Sequence, residues 1–265
     1  MKLSIRHHTE YRYSERVRHS TQYLRLTPRP SRRQRILKWE LDLPEPAARA
    51  SDSFGNVLHV LTLDQPHQSI QLVARGQVNI TDEDGEDDDV RLSPLVFARF
   101  SPLTAADAAL TALAEEHRGD AVLDRLERLS EQILARMPFA AGVTDVASNA
   151  AVALQGGQGV CQDHTHVFLS CCRVLGIPAR YVSGYLYSHD SEHVASHAWA
   201  EVWHRESWHT FDVTNQTRRP REHLKLAVGL DYLDACPVRG VRYGGGVESL
   251  NAVARVTQTE PWGGQ

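Results

Sequence analysis

Gly156-Gly157-Gln158-Gly159-Val160-Cys161-Gln162-Asp163 is the stretch whose reading decides this chain. Three glycines run into a cysteine, and an apolar segment from Val167 to Leu175 follows. The pattern predicts a tight loop that delivers Cys161 to the first turn of a buried helix. A thiol there meets N–H groups without intrahelical acceptors and the positive end of the helix dipole, both of which favour the thiolate form. Such a thiol suits a nucleophile, which in turn needs a base and a group to orient the base.

Both are found downstream. Ser196-His197-Ala198-Trp199-Ala200-Glu201-Val202-Trp203 and Trp208-His209-Thr210-Phe211-Asp212-Val213 read as a hairpin that turns through His204 to Ser207. Ala198, Ala200, Val202, Phe211 and Val213 form the small or apolar set, while His197, Trp199, Glu201, Thr210 and Asp212 take the other parity. A symmetric turn sets Trp203 opposite Trp208 and Trp199 opposite Asp212. His197 then lies diagonally beside Asp212 on one face. A slip of one residue would bury Asp212 among the apolar set, so the register is specified. Cys161, His197 and Asp212 are therefore expected as nucleophile, base and orienting group for acyl transfer through a thioester.

Around them, the Cys161 N–H is the natural oxyanion donor. Gly159 and Val160 wall the space for an amide carbonyl, and Gln155 is a candidate side-chain donor. Trp199 could stack on a substrate and Asp231 could line the cleft, although strand-end hydrogen bonding is the plainer reading for Asp231. Asp163 reads as dipole complementation in the first helical turn. Cys171 and Cys172 read as inert packing.

Residues 1 to about 80 read as short strands. Leu37, Trp39, Leu41 and Leu43 alternate on one face, Ile70, Leu72, Ala74, Val78 and Ile80 recur further on, and prolines punctuate the runs. The acidic run 82–89 has its glycine misplaced for a calcium loop and reads as a solvated linker, so no calcium requirement is expected. Thr104-Ala105-Ala106-Asp107 resembles a capping box that opens a helix ending near Gly119. A second helix carries Val122, Leu126, Leu129 and Ile133 and stops before Pro138. Strands near Lys225–Val228 and Leu250–Thr257 close the chain. The expected fold is α+β: an antiparallel β-sandwich domain over residues 1–90, then a papain-like core over 91–265 with the nucleophile on a central helix against an antiparallel sheet.

Composition narrows the partners. Of 265 residues, 29 are Lys or Arg and 33 Asp or Glu, a formal net charge of −4 that offers no basic field for nucleic acid or anionic membrane. No apolar run has the length to span a bilayer and no secretory signal is evident. With four cysteines, this points to a reducing cytoplasm. Cys161, Asp163 and nearby histidines lack a second pair at zinc-finger spacing, so no metal and no cofactor is expected.

Four segments carry a resemblance: Gly159-Val160-Cys161-Gln162-Asp163; residues 172–185, Cys-Arg-Val-Leu-Gly-Ile-Pro-Ala-Arg-Tyr-Val-Ser-Gly-Tyr; His197-Ala198-Trp199-Ala200-Glu201-Val202; and Phe211-Asp212-Val213-Thr214-Asn215. Their order and spacing resemble the Cys-His-Asp core of the transglutaminase-like superfamily. Asp52-Ser53-Phe54-Gly55-Asn56 resembles the N-terminal domain of its bacterial two-domain members, and residues 229–240 resemble their C-terminal strands. The resemblance implies a thiol hydrolase or acyltransferase acting on peptide or protein amides, with Cys161, His197 and Asp212 as the triad. His164-Thr165-His166 and Leu230 depart from the family pattern, where an apolar or aromatic residue, a small residue and an arginine are usual. Arylamine N-acetyltransferase chemistry shares the triad logic but places its thiol much earlier. A non-catalytic binding module on the same fold would have no need of all three groups.

Overall fold

The structure is a computed structural model that describes residues 1–81, 91–142, 147–188, 193–194, 196–218 and 221–259, with backbone alone at 193–194. The acidic run lies outside the described residues. The first strands are β1 (Lys2–Thr27), β2 (Gln34–Asp42), β3 (Ala48–Ser51), β4 (Val57–Leu63) and β5 (His67–Ile80). Two 3₁₀ turns, Pro94–Ala98 and Pro102–Thr104, lead to α1 (Ala108–Glu115), α2 (Val122–Arg136), α3 (Ala150–Gly156) and α4 (Cys161–Val174). Then follow β6 (Ala179–Leu186), β7 (His193–Val194), β8 (His197–His204), β9 (Ser207–Phe211), β10 (His223–Gly229), α5 (Tyr232–Ala235), β11 (Val238–Gly244) and β12 (Glu248–Gln258).

The expected Tyr11–Tyr13 and Tyr23–Leu26 strands are parts of one 26-residue strand, β1. From Leu3 to Tyr13 its odd positions face inward. After a register break between Arg12 and Val17 the inward set becomes Val17, Ser20, Gln22, Leu24 and Leu26. One edge of β1 carries β5 and then β4, and the other carries β12 and then β11. A single eight-stranded antiparallel sheet results, curled at the break around Tyr11, Val17, Leu24, Leu61, Ile70 and Leu72. The expected sandwich of separate sheets gives way to this curl because β1 is continuous through both halves. The C-terminal strands, grouped by sequence with the core, complete this N-terminal sheet. In β2 a register shift between Ile36 and Lys38 turns Leu37 outward, 44 % exposed, and breaks the alternation expected there.

The second sheet runs β10-β6-β8-β9 and packs on α4. The first helix opens at Asp107, whose carboxylate accepts the Leu110 N–H at 2.8 Å. Thr104 instead closes the preceding 3₁₀ turn with Ser101. The second helix places Leu126, Leu129 and Ile133 in the core, as their spacing predicts.

Two amide side chains of the N-terminal sheet act as a substitute strand on the outer edge of β10. Gln34 gives an N–H to Lys225 O and takes the Lys225 N–H, both at 2.8 Å. Asn56 donates to Val228 O at 2.7 Å and accepts from Val228 N at 2.9 Å. The family-like turn explains Asn56: Asp52 Oδ1 accepts the backbone N–H groups of Phe54 and Asn56. Its Oδ2 accepts Asn56 Nδ2 and Arg25 Nε. Gly55 holds φ +73°, a conformation that suits glycine. An exposed edge strand is a liability, and here side chains pair it.

Candidate active site

The glycine loop and α4 build the seat of Cys161. Gly157 ends α3 in the left-handed region, φ +67°. Gly159 then pairs in parallel with Phe139, giving its N–H to Pro138 O at 3.3 Å and accepting the Ala140 N–H at 2.8 Å. A Cβ on Gly159 would stand 2.8 Å from both Cβ and Oδ2 of Asp163. That clearance lets the Asp163 carboxylate reach back to the Val160 N–H at 2.8 Å. Asp163 is thus the acceptor half of a cap, as its helix position suggested. The Val160 N–H is engaged and does not face a substrate. Cys161 starts α4, half-buried, where its own N–H has no intrahelical acceptor. Gln155 is exposed near the end of α3.

The hairpin forms in the register derived from its parity, with Trp203 opposite Trp208 and Ala200 opposite Phe211. His197 Nε2 donates to Asp212 Oδ2 at 2.7 Å, which leaves Nδ1 for the thiol. Both faces of the hairpin are covered. Trp199 is 1 % exposed, packed with Val182, Val228 and Phe54 of the N-terminal sheet, and its ring stacks on His197 at 6.0 Å. It is a platform beneath the histidine, with no open face for a substrate to stack on. Trp208 packs edge-on against Phe97, with Arg180 over its ring at 4.0 Å. Asp231, also buried, caps α5 by accepting the Leu233 and Asp234 N–H groups at 2.8 and 3.3 Å.

Asp212 is a hub. Its Oδ2 accepts three donors: His197 Nε2, His223 Nε2 at 2.8 Å and Asn215 Nδ2 at 2.8 Å. Its Oδ1 accepts the Asn215 N–H at 3.1 Å. Burial opposes its charge, yet the hydrogen bonds from His197 and His223 and the charge of His197 prevail and hold the carboxyl well below its usual range. For His197 burial likewise opposes protonation. Hydrogen bonds to Asp212 and Cys161, and the charges of both, overcome this and lift the ring to about 10. By donor type His197, Asp212 and His223 could hold a metal ion, their atoms lying within 4.8 Å of one another. The separations of 2.7 and 2.8 Å are those of N–H···O bonds, however, and the Asn215 amide nitrogen, itself a donor to Asp212, stands 3.2 Å from His197 Nε2.

The sequence missed four members of this neighbourhood. Asn215 follows Asp212 in a turn and His223 is the first residue of β10, so neither had a periodicity to betray it. The other two are the histidines that depart from the family pattern. His164 bonds Met137 O through Nε2 at 2.8 Å and Thr214 Oγ1 through Nδ1 at 2.9 Å, tying α4 to the end of α2 and to the Asp212 loop. His166 accepts the Tyr232 N–H at 3.1 Å, and burial pushes its ring down to about 4. Leu230, the other departure, presents its backbone oxygen to the buried Arg173 at 2.6 Å.

Residues 3–79 match the bacterial transglutaminase-like N-terminal region and residues 111–213 the transglutaminase-like superfamily core. An uncharacterised protein of Mycobacterium leprae is 29 % identical over 97 % of this chain and 99 % of its own length. One from Mycobacterium tuberculosis H37Rv is 29 % identical over 96 % and 90 %. Among solved structures, a candidate cysteine protease from Cytophaga hutchinsonii superposes with a TM-score of 0.79 at 22 % identity, covering 100 % of this chain and 94 % of that one. The chain belongs to the transglutaminase-like superfamily, with a bacterial-type N-terminal region joined to the superfamily core.

Proposed function

We propose that this protein is a thiol enzyme that transfers or hydrolyses the acyl group of peptide or glutamine-type amides, with Cys161 as nucleophile, His197 as acid and base, and Asp212 as orienter. The observation that carries the reading is the bracketing of His197: Asp212 at 2.7 Å from Nε2 and a hydrogen bond to Cys161, which together lift the ring to about 10. An imidazolium beside the thiol through the neutral range is what a thiolate nucleophile requires.

The chemistry follows from these positions. The Cys161 sulfur attacks the amide carbonyl carbon, the C–S bond forms, and the carbonyl electron pair moves onto oxygen, towards the Cys161 N–H. The pair returns, the C–N bond breaks, and ammonia or an amine leaves with the His197 proton. Water or a primary amine then gives a proton to His197 and attacks the thioester, and the C–S bond breaks to restore the thiolate. Asp212 holds the ring throughout. The candidate protease activity of the Cytophaga relative accords with the hydrolytic branch. Four free cysteines accord with a reducing cytoplasm, and no helix among the described residues is long and apolar enough to cross a membrane.

The test is limited alkylation with iodoacetamide near neutral pH, followed by peptide mapping. Burial pushes the Cys171 thiol up to about 12, the Cys236 thiol up to about 11, and Cys172 well above its ordinary value. Label should therefore enter Cys161 alone and slow in His197→Ala. Equal labelling of the buried cysteines sinks the reading. Ammonia release from glutamine peptides, with and without a primary amine, separates the branches: incorporated amine means transfer, and ammonia with no amine adduct means hydrolysis.

A further inference from the structure

We infer that His223 is a positioning residue that tunes His197 by sharing the Asp212 carboxylate oxygen with it. This rests on the triad reading above. Both imidazoles place Nε2 on one atom, Asp212 Oδ2, at 2.7 and 2.8 Å, with ring centroids 5.9 Å apart. An ionised carboxylate supplies no proton, so each Nε2 carries the hydrogen. His197 keeps Nδ1 for the thiol. His223 Nδ1 is buried and meets no polar atom among the described residues, which fixes the ring as the Nε2–H tautomer. Trp199 lies edge-on to His223 at 4.9 Å.

An N–H dipole on Oδ2 draws off part of the charge that would otherwise hold the His197 proton. The titratable groups facing His197 are Asp212 and Cys161; Asp212 is also faced by His223 and, more distantly, by His164 of α4. From β6 the residue opposite His223 is Leu186, which carries no charge. Among the described residues, His223 is thus the one further donor on Oδ2 besides Asn215. If it is removed, Asn215 still pins both carboxylate oxygens, so Asp212 keeps its place and becomes a stronger acceptor. The His197 ring then binds its proton more tightly and releases it less readily to a leaving amine.

The experiment is a histidine NMR titration of the wild-type chain, His223→Phe and His223→Gln, with His197 assigned by its loss in His197→Gln. In His223→Phe the His197 midpoint should rise by about half a pH unit to one pH unit, the scale of one charge-assisted hydrogen bond. His223→Gln, which keeps an N–H at the Nε2 position, should return it towards wild type. A folded His223→Phe protein whose midpoint is unmoved or lower overturns the inference. In the wild-type chain alone, ring ¹⁵N shifts should give Nε2–H with a bare Nδ1 for His223, and a protonated Nδ1 overturns it even if the variants fail to fold. A wild-type His197 that titrates near 6.5 is a different result, because it removes the thiolate–imidazolium reading itself.

Discussion

Asn56→Ala tests how the N-terminal sheet supports the active-site sheet. Asn56 is fully buried, and its amide satisfies both backbone groups of Val228 as well as one Asp52 oxygen at 3.0 Å. Truncation leaves the Val228 N–H and C=O without partners at a dry sheet edge. At about 1–3 kcal/mol for each orphaned group, the loss comes to about 2–6 kcal/mol, before any contribution from the small void. That is a large share of the ~5–15 kcal/mol that stabilises an ordinary domain. Asn56→Asp is the sharper variant. It keeps the volume but turns a second oxygen against Val228 O and the Asp52 carboxylate, so it should cost more than alanine does. Guanidinium unfolding followed by tryptophan fluorescence gives the two losses, and hydrogen exchange at the Val228 amide locates them. A loss below about 1 kcal/mol for Asn56→Ala would refute the substitute-strand account. So would an aspartate variant more stable than the alanine one.

Gly159→Ala should drive Asp163 off the Val160 N–H, remove a charge-assisted bond of about 1.5–3 kcal/mol, and slow Cys161 alkylation; a wild-type melt and labelling rate would refute this. Because folding raises the His197 ring from 6.5 to about 10, its contribution is full below pH 6.5 and fades as pH climbs to 10, by about 1.4 kcal/mol for each pH unit crossed. Unfolding free energy should fall across that window, and His197→Gln should flatten the curve. Asp231→Ala should cost about 1 kcal/mol, as a lost helix cap does, and leave KM unchanged; a raised KM with unaltered stability would return Asp231 to the cleft.

The hairpin was legible because its chemistry and its packing obey the same period. Parity that buries Ala198, Ala200 and Phe211 must put His197 and Asp212 together, and no other register keeps the apolar face whole. The place of Cys161 at a helix start was legible because a glycine loop entering a helix leaves a local signature. The curl of β1 was not. Its break between Arg12 and Val17 has no proline or glycine to mark it, and strands more than 200 residues distant complete the sheet. Oxyanion candidates fared unevenly for a similar reason. Whether the Val160 N–H is available depends on the Asp163 rotamer, and residue type alone does not fix a rotamer. Trp199 was misjudged because the cluster that buries it draws on Phe54, more than a hundred residues upstream.

That cover gives the N-terminal sheet a part in the site. Phe54 packs against the cluster of Val182, Trp199 and Val228, and Trp199 stacks beneath His197. Two residues on, Asn56 clamps β10, whose first residue is His223 on Asp212. One turn, folded around Asp52, therefore reaches His197 through a ring stack and Asp212 through a strand. Geometry at a site of this kind must hold within fractions of an ångström, and a short β10 with an unpaired outer edge would fray. A side-chain amide meets that need better than another strand would, because it pairs the edge at two chosen points and adds no new edge of its own. The Asp52-Ser53-Phe54-Gly55-Asn56 turn accordingly carries its composition for the sake of residues far along the chain: an acceptor to gather the backbone, an aromatic to pack, a glycine to reverse, and an amide to clamp.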